Sequence, residues 1–426
     1  MDVIHKCCAG LDVHKKTVHA CIRQLTGDGR VIKEQREFDT MTRDLLVLGD
    51  WLAAHGVTHV AMESTGVYWK PVWHLLEGRV TQCLCNAQHI KKVPGRKTDT
   101  KDAEWLAQLL QYGLLEPSFV PPTPMRELRD LTRQRVQLTH QRTAITNRMQ
   151  KTLEDANIKL ASVASDITGV SGRSMIQAII AGEQDAEKLA GLARGRLIKK
   201  TTDLQIALQG RITEHHRFLL RTLLEQLTHT EQQIASYDDR IDQVIASEVL
   251  DASMEAPEAL PFAEAVELLD TIPGIDRTSA KAILAEIGTD MSRFPSAGHL
   301  ASWAGMCPGN NESAGKRKSG KTPKGDRWLR RSLTQAAWAA THTKDSYLGA
   351  QYHRLAPRRG KKRAVIAVAH SILVAAYYML KTHSAYEELG KDHFDQLQPD
   401  RLKHRLVRRL EDLGYNVTLD QERKAA

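Results

Sequence analysis

Val57-Thr58-His59-Val60-Ala61-Met62-Glu63-Ser64-Thr65-Gly66 is a short apolar run that stops on a carboxylate, two hydroxyls and a glycine. Val57 to Met62 is too short for a helix and bounded by turn residues, so it reads as a strand with Glu63 at its end. Just upstream, Thr42 to His55 carries Leu45, Leu46, Leu48, Trp51 and Leu52 at helical steps. Earlier still, Cys7 to Phe38 reads as a strand pair: Ala9, Leu11 and Val13 lead into Val18 to Ile22, and Thr26-Gly27-Asp28-Gly29 turns the chain into Val31 to Phe38. Downstream, Tyr68 to Leu76 suits a helix, Val80 to Cys85 a strand, and Asp99 to Tyr112 an amphipathic helix stopped by Gly113. A hairpin followed by strands alternating with helices predicts an α/β domain with a mixed sheet.

Pro117 to Pro124 holds four prolines in eight residues and continues neither helix nor central strand, so a domain boundary is expected there. From Met125 to Ile158 and from Arg211 to Ile245, apolar residues recur at three- and four-residue steps among polar ones, the pattern of long antiparallel helices or a coiled coil. Ala161 to Lys200 reads as shorter helices capping that hairpin. Farther on, Glu264 to Thr271 and Thr278 to Ile287 are helical on either side of Ile272-Pro273-Gly274-Ile275, a helix-hairpin-helix pattern. In such a motif the glycine lets backbone amides approach a phosphate, although an ordinary helical turn has the same appearance.

The 426 residues suffice for two or three domains. Val365 to Leu380, interrupted by His370 and Ser371, falls short of the roughly 20 residues a membrane span needs, so a soluble cytoplasmic protein is expected. The six cysteines lack CxxC spacing and paired histidines, which argues for free thiols and against a disulfide scaffold or zinc site. The net charge of +9 is unevenly spread: residues 316–363 hold fifteen Lys and Arg against two Asp and Glu, a local +13 that leaves −4 for the rest. A block of that density attracts a polyanion such as nucleic acid, and interleaved Trp328, Leu329, Leu333, Trp338 and Tyr347 mark it as folded rather than as a solvated tail.

Asp12 follows the first apolar run, Glu63 ends a strand, and Asp99 and Asp102 stand three apart on one helix, hence on one face. Singly, each acid reads as well as an N-cap or a solvated charge. Together, strand then strand then helix is the order of the ribonuclease H-like nucleases, whose hard oxygen ligands hold Mg²⁺ ions roughly 4 Å apart for phosphoryl transfer. Near the other end, Pro308 to Lys321 sets Ser313 and Ser319 among glycines and cations, where a hydroxyl is placed to attack phosphate; a flexible basic loop has the same composition.

In order and spacing, Gly10-Leu11-Asp12-Val13-His14-Lys15, Met62-Glu63-Ser64-Thr65-Gly66-Val67-Tyr68, Lys97-Thr98-Asp99-Thr100-Lys101-Asp102-Ala103, Ile272-Pro273-Gly274-Ile275, and Asn311-Glu312-Ser313-Ala314-Gly315 with Gly325 to Leu333 resemble one family. It is that of the DEDD-type insertion-sequence transposases related to the Piv DNA invertase, some of them directed by a structured bridge RNA. The resemblance covers nearly the whole chain. It implies a RuvC-like, RNase H-like domain over residues 1–120 whose catalytic and Mg²⁺-binding set is Asp12, Glu63, Asp99 and Asp102. It further implies coiled-coil dimerisation helices over 121–260 and a helical C-terminal domain over 261–426 with the helix-hairpin-helix motif and a catalytic serine. By motif match that serine is Ser313, with Ser319 the alternative.

The whole is then multidomain, α/β plus α. Its expected reaction is transposition or site-specific recombination through a serine–phosphate intermediate. Gly274, Lys316, Arg317, Lys318, Lys321, Lys324, Arg327, Arg330 and Arg331 are the expected nucleic-acid contacts. The implied partners are DNA (element ends and target), a structured guide RNA and further copies in a homodimer or homotetramer, with no membrane. Two rivals remain: a RuvC-like Holliday-junction nuclease using the acids alone, and a non-catalytic nucleic-acid-binding protein. No GxxxxGK[ST] phosphate loop occurs, as expected of chemistry that conserves bond energy in a covalent link.

Overall fold

Three strands form in the first forty residues rather than the expected two: β1 (Cys7–Val13), β2 (Thr17–Leu25) and β3 (Val31–Asp39). The extra reversal lies between Val13 and Thr17, closed by His14 N–H donating to the Thr17 carbonyl at 2.9 Å. Its residues, His14-Lys15-Lys16, include none of the Gly, Pro or Asn that announce a turn. The computed structural model describes residues 2–419 except 65, 87–89, 91–101, 248–249, 251, 253–258, 310, 314–315, 321 and 398, and for 311–313, 316–319 and 401 the backbone alone. Two compact units result, Met1–Pro121 and Pro122–Ala426.

In the first unit, α1 (Thr42–Ala54), β4 (His59–Glu63), α2 (Trp69–Leu76), β5 (Thr81–Cys85) and α3 (Asp102–Gln111) complete a five-stranded sheet of order β3-β2-β1-β4-β5. β1 and β2 are antiparallel, as are β2 and β3, whereas β4 and β5 run parallel to β1. A parallel neighbour needs a crossover, which β2, β3 and α1 supply between β1 and β4. Alternation then divides the side chains. Ala9, Leu11, Val18, Ala20, Ile22, Val60 and Met62 pack on one face with Leu45, Leu48, Leu52, Val72 and Leu76 of α1 and α2. Cys8, Ala61 and Cys85 pack on the other face with Leu106, Leu109 and Leu110 of α3.

In the second unit, α4 (Thr123–Asp155) and α9 (Glu214–Ala246) have 33 residues each, about 50 Å at 1.5 Å per residue. They are antiparallel: Arg135, near the start of α4, pairs with Asp238 near the end of α9, and Asp155 at the end of α4 lies 2.9 Å from His216 at the start of α9. Leu220, Leu227, Ile234 and Ile241 form a buried seven-residue repeat along α9. Four short helices, α5 (Leu160–Val163), α6 (Val170–Ala181), α7 (Ala186–Ala190) and α8 (Thr201–Ala207), close the far end around Leu160, Met175, Ile176, Ile179 and Leu204.

At the near end lie α10 (Phe262–Asp270), α11 (Arg277–Ile287), α12 (Ala297–Trp303), a two-stranded hairpin of β6 (Asn311–Ser313) and β7 (Lys316–Ser319), then α13 (Arg327–Ala340), α14 (Tyr347–Arg359), α15 (Lys361–Thr382), α16 (His393–Gln396) and α17 (Pro399–Asp412). The apolar run expected to fall short of a membrane span is part of α15, which by length and composition is able to cross one. Here Val365, Val368, Ile372, Leu373, Ala376 and Leu380 are buried against protein, and the Tyr377 hydroxyl donates to the Phe294 carbonyl at 3.0 Å.

The long helices and the C-terminal helices belong to one unit because α4 is tied to α11 by buried charge. Glu286, 2% exposed, accepts both arms of Arg133 at 2.7 Å each. Arg129 donates to the Ala285 carbonyl at 2.7 Å and to that of Glu286, and Arg133 reaches Asp326, the N-cap of α13, at 3.2 Å. Removing one partner of such a cluster strands the remaining charges, so Glu286→Ala is expected to lower stability by about 3–5 kcal/mol. Glu286→Gln, which keeps one acceptor, should cost less. A denaturant series on both variants checks the order.

Candidate active site

The register that pairs Leu11 with Met62 puts Asp12 beside Glu63, at the same end of adjacent parallel strands. Since Leu11 and Met62 enter the core beneath α1 and α2, the pleat turns Asp12 and Glu63 to the face where α3 lies. Gly10 fixes how α3 lies there: a Cβ at that position would stand 2.1 Å from the Ala103 carbonyl oxygen and 2.5 Å from the Ala107 nitrogen. The Cys8 thiol donates to the Ala107 carbonyl at 3.4 Å. Ala103 is therefore over Gly10 and Ala107 over Cys8, so α3 runs against β1. Its first residue, Asp102, arrives at the end of the sheet that carries Asp12 and Glu63, and all three are half-buried. The positive end of the helix dipole favours an acid there.

A cleft of about 420 Å³ opens at this point, lined among others by Asp12, Asp102, His14, His19, Glu37 and Glu104. His14, to which sequence reasoning gives no role, brings Nε2 to 3.2 Å from Asp12 Oδ2. His19 stands edge-on to it at 5.9 Å between ring centroids, with Nδ1 3.6 Å from Glu37 Oε2. The signal available in sequence is the even spacing from Asp12 to His14. On the other side, Glu63 pairs in register with Cys85, whose Sγ is 3.5 Å from that of Cys83. The Cys85 thiol is pushed up by the Cys83 contact, then by burial and by the Glu63 charge, while Cys83 is held down by the same contact. All six cysteines are free, and burial pushes Cys8 up to about 12.

Asp99 lies outside the described residues. Among the described residues, no group of three or more His, Cys, Asp or Glu is gathered closely enough to hold a metal ion. In donor type, carboxylates from two strand ends and a helix start suit a hard divalent cation.

The second candidate centre differs from the loop read in sequence: its backbone is the β6–β7 hairpin. Ser313 pairs with Lys316 and closes β6 at the tip, whereas Ser319 is opposite Asn311 at the base. The two serines are thus at opposite ends of the hairpin. Its flanks meet glycine to glycine, for a Cβ on Gly325 would lie 2.3 Å from the Gly305 nitrogen. Lys316, Arg317 and Lys318 are on β7, and Lys321 lies outside the described residues. Lys324 and Arg327 are exposed, the latter with its guanidinium 4.8 Å from the Trp328 ring centre. Arg330 is half-buried, and Arg331 reaches His140 of α4 at 3.2 Å.

Gly274, expected to admit a phosphate, adopts φ +86°, and a Cβ there would lie 2.3 Å from the Ala336 carbonyl oxygen of α13. That approach accounts for the glycine by packing within the unit. The first turn of α11 is already capped by the Asp276 carboxylate, which accepts from Ser279 N–H at 2.8 Å.

Two family models match the chain and together cover more than half of it. One, of the DEDD type and described as Transposase, spans residues 9–158. The other, described as Transposase IS116/IS110/IS902 family, spans residues 266–353. Among curated proteins, the pilin gene-inverting proteins of Moraxella bovis and Moraxella lacunata are each 26% identical over 201 residues, 45% of this chain and 61% of theirs. A 43.6 kDa protein of insertion element IS110 from Streptomyces coelicolor is 28% identical over 123 residues, 28% of this chain and 30% of its own length. The chain thus spans less than two thirds of the relatives it matches.

Proposed function

Because the chain belongs to the IS110-type transposases, we propose that it cuts and rejoins DNA, with the hydroxyl of Ser313 as nucleophile and with Asp12, Glu63, Asp99 and Asp102 as the ligands of a divalent cation, Mg²⁺ by donor type. The observation that carries this reading is the arrival of Asp12, Glu63 and Asp102 at one end of a mixed sheet opened by a hairpin, which supports an RNase H-like domain. The bound cation would polarise a phosphate and ease departure of an oxygen. The remaining chemistry belongs to the protein. Ser313 Oγ bonds to phosphorus as the P–O3′ bond breaks, its proton passing by way of a base to the departing 3′ oxygen. In the reverse step a 3′-hydroxyl of another strand displaces the serine. The link conserves the phosphodiester energy, so no nucleotide is consumed.

Within this reading His14 orients the Asp12 carboxylate, Lys316 to Arg331 grip the DNA backbone, and α4 with α9 joins copies of the chain through a coiled coil. The acidic centre would lie in residues 1–120, the joining helices in 121–260 and the serine centre in 261–426. Members directed by RNA set the expectation of a structured guide RNA.

The test is a plasmid carrying the DNA that flanks the coding region, incubated with the protein and Mg²⁺ and sequenced across new junctions. Rejoined junctions are expected; cut ends without junctions would replace recombination by hydrolysis. Neutralising Lys316, Arg317 and Lys318 is expected to lower the slope of log affinity against log salt by about 0.9 for each phosphate of duplex DNA that the protein no longer neutralises. An unchanged slope means the block is not the grip.

A further inference from the structure

A second cleft, this one cationic and of about 740 Å³, opens between α14, residues 391–395 and α17. Its wall on α14 is one helical face, Ala350, His353, Arg354, Pro357 and Arg358, at steps of three, one, three and one. Arg405 of α17 and Lys391 face it, and among the described lining residues Asp395 is the single carboxylate. We propose that this cleft binds the phosphodiester backbone of a nucleic acid, as a site additional to the β6–β7 hairpin and the start of α13. The inference rests on the nucleic-acid reading given above.

The cleft is built rather than incidental. Phe394 stacks on Tyr347 at 5.0 Å and 20° between planes, and the Arg354 guanidinium lies 5.1 Å from the Phe394 ring centre while Nη1 donates to the Phe394 carbonyl at 3.5 Å. A guanidinium anchored through one N–H keeps others for a second acceptor, and planar guanidinia match phosphate oxygens two at a time. Lys391 is itself held, 2.7 Å from Asp345. Arg358 and Arg405 are exposed at the two rims, so an anionic chain between them meets cations on both sides. An acidic peptide offers carboxylates of similar geometry. Phosphodiester is favoured because α14 lies within the segment 316–363, and its Arg354, Arg358 and Arg359 are three of the fifteen cations there, a density that suits a polyanion.

The test uses the full chain with Arg358 and Arg405 both changed to glutamine. These exposed side chains leave no cavity, and an unchanged melting curve establishes the fold. Binding of a short DNA duplex, a single strand, inorganic phosphate and polyglutamate is followed by anisotropy or competition across a salt series. A control carries Arg30→Gln and Arg43→Gln, the same loss of charge from exposed positions of the first unit. The expected result is a salt slope on duplex DNA lower by about 0.9 for each phosphate no longer neutralised, and an affinity near 0.15 M salt lower by about fivefold for each, with the control unchanged. Wild-type binding of DNA with neither variant altered, or with both altered equally, overturns the inference and leaves the proposed function standing. Weaker polyglutamate binding with DNA binding unchanged makes the cleft a peptide site and overturns it too. A wild-type protein that binds no nucleic acid removes both readings together.

Discussion

Ser313→Ala is expected to bind DNA, and guide RNA where one exists, with near wild-type affinity and to form no covalent adduct. A serine attacking phosphate must come within roughly 3.5 Å of phosphorus and give up its proton, and alanine has nothing to substitute for it. Losing a nucleophile of this kind lowers turnover by as much as roughly a millionfold in enzymes where it has been isolated. Ser313→Cys retains a nucleophile and should keep a trace of activity. Ser319→Ala should at most slow the reaction: its backbone position is at the base of the hairpin, across from Asn311, while Ser313 ends β6 at the tip. Recombination is read on a plasmid and the adduct on a denaturing gel, so loss of binding and loss of chemistry are separated.

Asp102→Ala and Glu63→Ala are expected to abolish recombination with little change in stability. Two opposing effects govern the fold. Removing one of the acids at this sheet end lowers its negative charge, and no apolar cavity is left because the three described acids are half-buried. Against that, Asp102 is in the first turn of α3, and losing a carboxylate from a helix N-terminus costs about 0.3–1 kcal/mol. The two oppose each other in Asp102→Ala and only the first applies to Glu63→Ala, so in both melting should shift by only a few degrees while junction formation disappears. Recombination at near wild-type rate in either variant, with Mg²⁺ present, would show that the acids are assigned wrongly.

The sheet was legible where local chemistry and burial agree. Val57 to Met62 and Thr42 to His55 predict a strand and a helix within a residue or two of His59–Glu63 and Thr42–Ala54, because burial on both faces and leucine at helical steps admit little else. The β1–β2 reversal was hidden by a turn made of His and Lys, residues with no bias toward turning. The β6–β7 hairpin escaped because Lys316-Arg317-Lys318-Ser319 has no apolar alternation, so its composition is that of a loop. Gly274 is a different case: its close approach to α13, a packing of residues more than sixty apart, is recorded by no local pattern. The Cys83–Cys85 pair was likewise silent, since its place beside Glu63 depends on strand register, whereas the even spacing of His14 from Asp12 was there to be read.

The measurement that bears most directly on the serine mechanism is trapping on a nicked DNA substrate, which lets the cut strand diffuse away, followed by peptide mapping of the protein–DNA adduct. A covalent adduct on Ser313, dependent on Mg²⁺ and absent from Ser313→Ala, is the predicted result. An adduct on Ser319 moves the nucleophile six residues, to the base of the hairpin. DNA cut by the wild-type protein with no adduct on any serine contradicts the mechanism and leaves a nuclease that works through its carboxylates alone.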